Sequence, residues 1–214
     1  LVAGGGYIRA SKPSGGQVTV GSVCVDRTEV TESAYRACVE KGGCTAPPNK
    51  VFCNYAQPGR EADPINCVDL TQAQTYCTSQ GKRLPTEDEW EWVTRGGPLG
   101  FAYPWGNAEP TAEAPERLCW QLKARHDDDK AWPNRPAGTC PVDSFPAGAH
   151  DGIVDLVGNV WEWTSSVDGT GFVSRGGSAF DDPTDATKFR AAARLVAASA
   201  AYPAIGVRCF SDPR

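Results

Sequence analysis

Nine cysteines in 214 residues, with no C-x-x-C pair among them, constrain this chain more than any other feature. Thiol metal centres usually show close pairs of that kind. Cysteines at irregular spacing point instead to disulfides formed in an oxidising compartment, so the chain is expected to be extracytoplasmic, periplasmic or secreted. Sequence proximity suggests Cys38–Cys44, Cys53–Cys67 and Cys119–Cys140 as loop-closing pairs, although spacing alone leaves connectivity open. Nine is odd, so one thiol stays free or pairs outside the chain.

Composition narrows the class. A hydrophobic fraction of 40% with 23 Gly and 17 Pro fits a loop-rich globular protein. The formal charge of −5 and the lack of clustered Lys and Arg exclude a nucleic-acid partner. No apolar run is long enough to span a membrane. The opening "LVAGGGYIRA" has neither a basic n-region nor an apolar h-region, so a signal peptide has been removed or lay upstream in a longer protein.

Local patterns give short elements. "GGYIRA" and "QVTVGSVCVDRTEV" read as extended, the second through alternating valines. Thr31 caps a helix over "ESAYRACVEK", with Tyr35, Cys38 and Val39 on one face and Gly42 at its end. Asp69 or Thr71 opens a second helix whose stripe is Leu70, Ala73, Tyr76 and Cys77. In "RLPTEDEWEWVTRGG", Thr86 and Glu89 form a capping box, and Gly96 is the stop. Residues 97–150 read mostly as loop, with turns at "YPWGN" and "PNRPAG", and strands near "GNVWEWTSS", "GFVSRGG" and "IGVRCF" close the chain. With no repeat and no clean boundary, residues 1–214 form one α+β domain of short elements and long loops.

Six stretches, "GKRLPTEDEWEWVTRGG", "YPWGN", "PVDSFPAG", "DLVGNVWEWTSS", "SRGGS" and "IGVRC", occur in the order of the formylglycine-generating enzyme family. The resemblance runs from about Gly4 to Cys209 and implies an irregular fold related to C-type lectin domains. It also implies a Cys77–Cys209 disulfide, which together with the three proximity pairs leaves Cys24 over. Enzymes of this family oxidise a cysteine in a sulfatase peptide to formylglycine with oxygen and copper. Their two copper-binding cysteines, just past "GGS", fall here on Asp181 and Ala186. A further family disulfide falls on Thr94 and Ala191. Cu(I) takes soft thiolates, which neither a carboxylate nor a methyl group replaces. Copper and formylglycine generation are therefore not expected, and no paired base and nucleophile suggests another catalysis.

"DLVGNVWE" resembles one of the family's calcium sites, with carboxylates from Asp155 and Glu162 and carbonyls from Gly158 and Val160. Hard oxygen donors on a tight turn suit calcium. The same residues also suit a structural role, the acids capping backbone N–H groups and Trp161 and Trp163 filling the core. The family's second calcium region, near Leu118, Cys119, Asn134 and Pro136, lacks the matching acid. "HDDDK", His126 to Lys130, reads as a solvated charge run, and His126 and His150 as surface residues.

The expected role is a non-catalytic binding or structural module, a pseudoenzyme, with a peptide, protein or glycan as ligand. Ser178, Phe180, Asp181, Ala186, Arg190, Leu195 and Tyr202 are its candidate cleft residues. Two alternatives stand beside it. One is a retroelement-diversified receptor whose variable face is the stretch from Ala179 to Tyr202. The other is an enzyme of unknown chemistry in the same cleft, with Ser178, Arg175 and Arg190 orienting the substrate.

Overall fold

The computed structural model describes residues 1–9, 16–111, 117–120, 138–182 and 184–214. His126, the 126–130 charge run, Asn134, Pro136 and most of the "PNRPAG" turn lie outside the described residues.

Each helix begins at a side-chain cap, because the first N–H groups of a helix have no internal partner. In α1 (Glu32–Glu40) the Thr31 hydroxyl accepts from the Ala34 N–H. In α2 (Leu70–Ser79) Asp69 is the cap, and Gln72 returns a hydrogen bond to the Asp69 N–H. That reciprocal box decides between Asp69 and Thr71. In α3 (Glu87–Thr94) Thr86 and Glu89 close the same box. Each cap is worth ~1 kcal/mol.

The strands are short. β1 (Gly5–Ile8) pairs antiparallel with β2 (Gln17–Val20), and β3 (Cys24–Val25) pairs with the terminal β8 (Phe210–Ser211). The main sheet has the order β6-β5-β4-β7. Its members are β4 (Trp161–Asp168), β5 (Gly171–Arg175), β6 (Arg194–Ala197) and β7 (Ile205–Gly206), with β4 and β7 parallel. β6 lies in the alanine-rich stretch, where no alternation announces a strand. Its register against β5, Val196 opposite Val173 and Leu195 opposite Ser174, comes from tertiary pairing.

Two aromatic-rich clusters fill the interior. One joins Tyr35, Ile65, Val68, Cys77, Trp163, Val207 and Cys209 between α1, α2 and the sheet. The other gathers Trp90, Tyr103, Leu118, Trp120, Leu156, Phe189 and Phe210 beneath α3. Disulfides tie the loops to these clusters: Cys38–Cys44, Cys53–Cys67, Cys77–Cys209 and Cys119–Cys140. Cys24 is the free thiol, half-buried in β3. Among the described residues no helix is long and apolar enough to cross a membrane.

Candidate functional site

The loop after β5 carries Ser178, Phe180, Asp181 and Ala186, four of the candidate cleft residues. Gly176 and Gly177 both have positive φ, 110° and 75°. A Cβ on Gly177 would lie 2.7 Å from the Phe189 ring and 2.8 Å from the Lys188 carbonyl, so only glycine brings the loop this close. The turn delivers Ser178 to Asp181. One carboxylate oxygen, Asp181 Oδ2, accepts from the Ser178 N–H, the Ser178 hydroxyl and Trp161 Nε1, each at 2.8 Å. The Phe180 N–H donates in turn to the Ser178 hydroxyl. Asp181 is thus the centre of a closed turn. Ala186 opens a short 3₁₀ turn (Ala186–Phe189) capped by Asp185, and its methyl offers no ligand atom.

The expected disulfide replacements are consistent with a repacked interior. Thr94 and Ala191 are both buried, and the Thr94 hydroxyl has no hydrogen-bond partner. Asp181→Ala should leave the buried Trp161 indole N–H and the Ser178 donors without an acceptor. We expect a loss of ~2 kcal/mol in chemical denaturation, and an unchanged midpoint would show that the turn closes without this carboxylate.

The other candidate cleft residues diverge. Arg190 leaves the loop for the Tyr103 hydroxyl and for Glu109, 2.7 Å away. Leu195 and Tyr202 pack on the α1–α2 core cluster, with the Tyr202 ring 6.5 Å from Trp163. Arg175 is fully buried and donates to Glu87, Glu91 and the carbonyls of Ala191 and Ala193, which gives it a bracing role. Only Ser178, Phe180 and Asp181 share one turn. Phe180 extends it outward, its ring 5.7 Å from Phe52 at 75°. Phe52 stands beside the Cys53–Cys67 bridge, and Tyr202 reaches that bridge from the other side by accepting from the Cys67 N–H.

The "DLVGNVWE" turn folds around acids. Asp155, Gly158 and Asn159 all have positive φ. Asp155 Oδ2 accepts from the Asp143 N–H at 2.6 Å. Glu162 is taken on both oxygens, by Arg208 Nε at 2.9 Å and Trp90 Nε1 at 2.6 Å. Arg208 also donates to the carbonyls of Asp26, Val154 and Asp155. A third acid enters here that sequence reasoning missed. Glu29 accepts from Asn159 Nδ2 and the Val160 N–H, and is fully buried. It lies in the "DRTEV" segment after β3, among the charged residues Asp26 and Arg27, and nothing local distinguishes it from them. Burial pushes the Glu29 carboxyl well above the ordinary carboxylate range, and the Asp155 charge adds to the rise. Burial likewise raises Asp155 and Glu162.

Three buried acids therefore lie near one buried guanidinium, Arg208, which donates to Glu162 among them, and oxygen donors of this kind are what a hard cation would take. Asp155 and the carbonyls of Gly158 and Val160 are the oxygens such an ion would take, since Glu162 is already engaged. Among the described residues no group of three or more His, Cys, Asp or Glu could hold a metal ion. Leu118 and Cys119 are buried, and the Cys119 carbonyl accepts from the Asn159 N–H. His150 is half-buried against Phe101 and lies 3.7 Å from Asp151.

Comparison with known proteins follows the same lines. The family model of the sulfatase-modifying factor enzyme 1-like domain matches residues 1–213. Inactive C-alpha-formylglycine-generating enzyme 2 of Bos taurus is 45% identical over 104 residues, 48% of this chain and 33% of that protein. Formylglycine-generating enzyme of Mus musculus is 34% identical over 172 residues, 72% of this chain and 45% of that protein. The chain thus spans a third to under a half of these relatives' length. The structure of PvdO from Pseudomonas aeruginosa shares the fold with a TM-score of 0.72 at 20% identity, over 99% of this chain and 92% of that one. Architecture, motif order and the family match agree, and the chain belongs to the sulfatase-modifying factor, or formylglycine-generating enzyme, family.

Proposed function

We propose that this chain is a non-catalytic binding module on the formylglycine-generating enzyme fold, working in the periplasm or outside the cell. The observation that carries this reading is the fate of Asp181. Where the family resemblance would put the two thiols, this chain has Asp181, whose Oδ2 is held by three donors, and Ala186, whose methyl group offers no ligand atom. Nothing there offers Cu(I) the two soft ligands it takes. The four disulfides support the oxidising compartment, and the name of the bovine relative, an inactive enzyme, is compatible with the loss of catalysis.

The test is incubation of the protein with Cu(I), oxygen and a cysteine-containing sulfatase peptide, read by mass spectrometry. The expected result is an unmodified cysteine. A peptide aldehyde formed in proportion to protein would overturn the reading.

Calcium is the stabilising ion in this proposal, and Asp155 with the carbonyls of Gly158 and Val160 would hold it. An ion saturating such a site adds ~3 kcal/mol at a hundred times its Kd. For a chain of this size that is worth ~6–10 °C. We expect EGTA to lower Tm by that amount and added calcium, but not magnesium, to restore it. A Tm indifferent to chelation removes calcium and leaves the binding role in place.

A further inference from the structure

The loop between α1 and α2 borders an open pocket of about 670 Å³, lined by residues from Asn49 to Arg60. Of its residues the sequence singles out Cys53 alone, as half of the expected Cys53–Cys67 bridge. Its volume is within the range of ligand sites, roughly 300–1,000 Å³.

Several features suit this cavity to a ligand. Its frame is fixed before any ligand arrives. Cys38–Cys44 and Cys53–Cys67 clamp the two ends of the loop. Asn54 is buried and donates to the Pro64 carbonyl and the Thr139 hydroxyl, while its N–H donates to Asn66 Oδ1. Asn66 donates in turn to the carbonyls of Phe52 and Pro203. Such bracing reduces the ordering cost of binding.

Phe52 is held in the left-handed region at φ 66°, a conformation that disfavours a bulky side chain. Yet its ring is not buried. Phe52 is 44% exposed and its neighbour Val51 75% exposed, so packing of the core does not explain the strained aromatic. Strain kept at an exposed position is a mark of a functional one.

The charges in the lining have one sign. Lys50 and Arg60 are its ionisable groups, and no acid lines the cavity. Arg60 is tied to Asp63 and the Thr139 carbonyl, whereas Lys50 is exposed on the rim. Beside Lys50, Gln57 Nε2 donates to Asn49 Oδ1 at 2.7 Å. This leaves the Gln57 carbonyl oxygen and the Asn49 NH₂ as an acceptor and a donor, the complement of a peptide unit.

We propose that the 49–60 cavity binds an extended peptide segment carrying an aromatic or large aliphatic side chain next to an acidic one. The apolar side chain packs on Phe52, Val51 and Pro58, the acid pairs with Lys50, and the Asn49–Gln57 amides take the backbone. The Asn49–Gln57 amides beside the exposed Val51 and Phe52 favour a peptide, whose backbone and apolar side chain match the two surfaces together. Phe180, in edge contact with Phe52, joins the cavity to the Ser178–Asp181 turn, so ligand binding and the lost oxidase site occupy one face.

The proposal rests on the binding role above, and the two fail separately. An aldehyde product overturns the non-catalytic reading and leaves the cavity untouched.

The experiment pans the intact protein against a displayed library of random dodecapeptides and measures synthetic copies of the enriched sequences by fluorescence anisotropy. Enriched peptides are expected to pair an aromatic or large aliphatic residue with Asp or Glu. Phe52→Gly should weaken them at least about tenfold. That variant relieves the backbone at φ 66°, so its Tm should hold or rise, which separates lost binding from lost folding. Lys50→Glu should weaken them about tenfold at low salt and less at high salt. Val167→Thr, on exposed β4, serves as the control. The proposal falls if no sequence is enriched, if enriched peptides bind both variants as they bind the wild type, or if acidic oligosaccharides occupy the site through Phe52 and Lys50 instead.

Discussion

Arg208→Met should lower the thermal midpoint near neutral pH by about 10 °C. Arg208 is fully buried and is the guanidinium that donates to Glu162, while its other nitrogens hold the carbonyls of Asp26, Val154 and Asp155. Methionine fills similar volume but leaves Glu29, Asp155 and Glu162 in the interior without that cation. Removing one partner of a buried ion pair typically costs ~3–5 kcal/mol. At ~2–4 °C per kcal/mol for a chain of this length, that gives the stated fall.

The pH dependence identifies the cause. Burial already places the three carboxyls above their ordinary values, and Arg208 restrains the rise in each. Without it they rise further. A carboxyl whose folded pKa exceeds its unfolded pKa contributes stability below the unfolded value, and that contribution is lost as pH rises through the folded value. The deficit of the variant relative to wild type should therefore be widest at neutral pH and shrink toward about pH 5. Thermal melts of both proteins in EGTA at the two pH values measure it. A deficit of constant size would mean that lost packing, and not unpaired charge, destabilises the variant.

This site also shows how far the sequence could be read. Thr86, Glu89 and Gly96 lie within ten residues of one another, and local capping rules place α3 from them alone. Asp155 and Glu162 lie close in sequence, one in the loop before β4 and the other in β4, so a local motif draws attention to both. Glu29 was not legible, since its partner Asn159 is 130 residues away and nothing local to either predicts the contact. Leu195 and Tyr202 entered the candidate cleft by position in the alanine-rich stretch, but β6 turns that stretch onto the sheet, where they pack against the core. Ala179, Phe189 and Ala191 are buried as well, so much of a stretch read as a possible variable face is structural. The 49–60 cavity was invisible for another reason. The Cys53–Cys67 bridge beside it was suggested by proximity, but the positive φ at Phe52 that shapes the loop is not reported by composition or periodicity.

Long-range closure sets the second large effect. Replacing Cys77 and Cys209 together by alanine should cost ~5 kcal/mol, because the bridge closes a loop of 132 residues in the unfolded chain. The same exchange at Cys38 and Cys44, separated by 6 residues, should cost ~2 kcal/mol. Both cysteines of the long bridge are fully buried, one in α2 and the other next to Arg208, so the bridge also fixes the segment that compensates the acidic turn. Urea denaturation of the two double variants under identical conditions gives the comparison. Equal losses would place the stabilisation in native packing around each bridge. The expected inequality would place it in the unfolded chain, where one staple between α2 and the C-terminal strand holds together loops that regular structure does not.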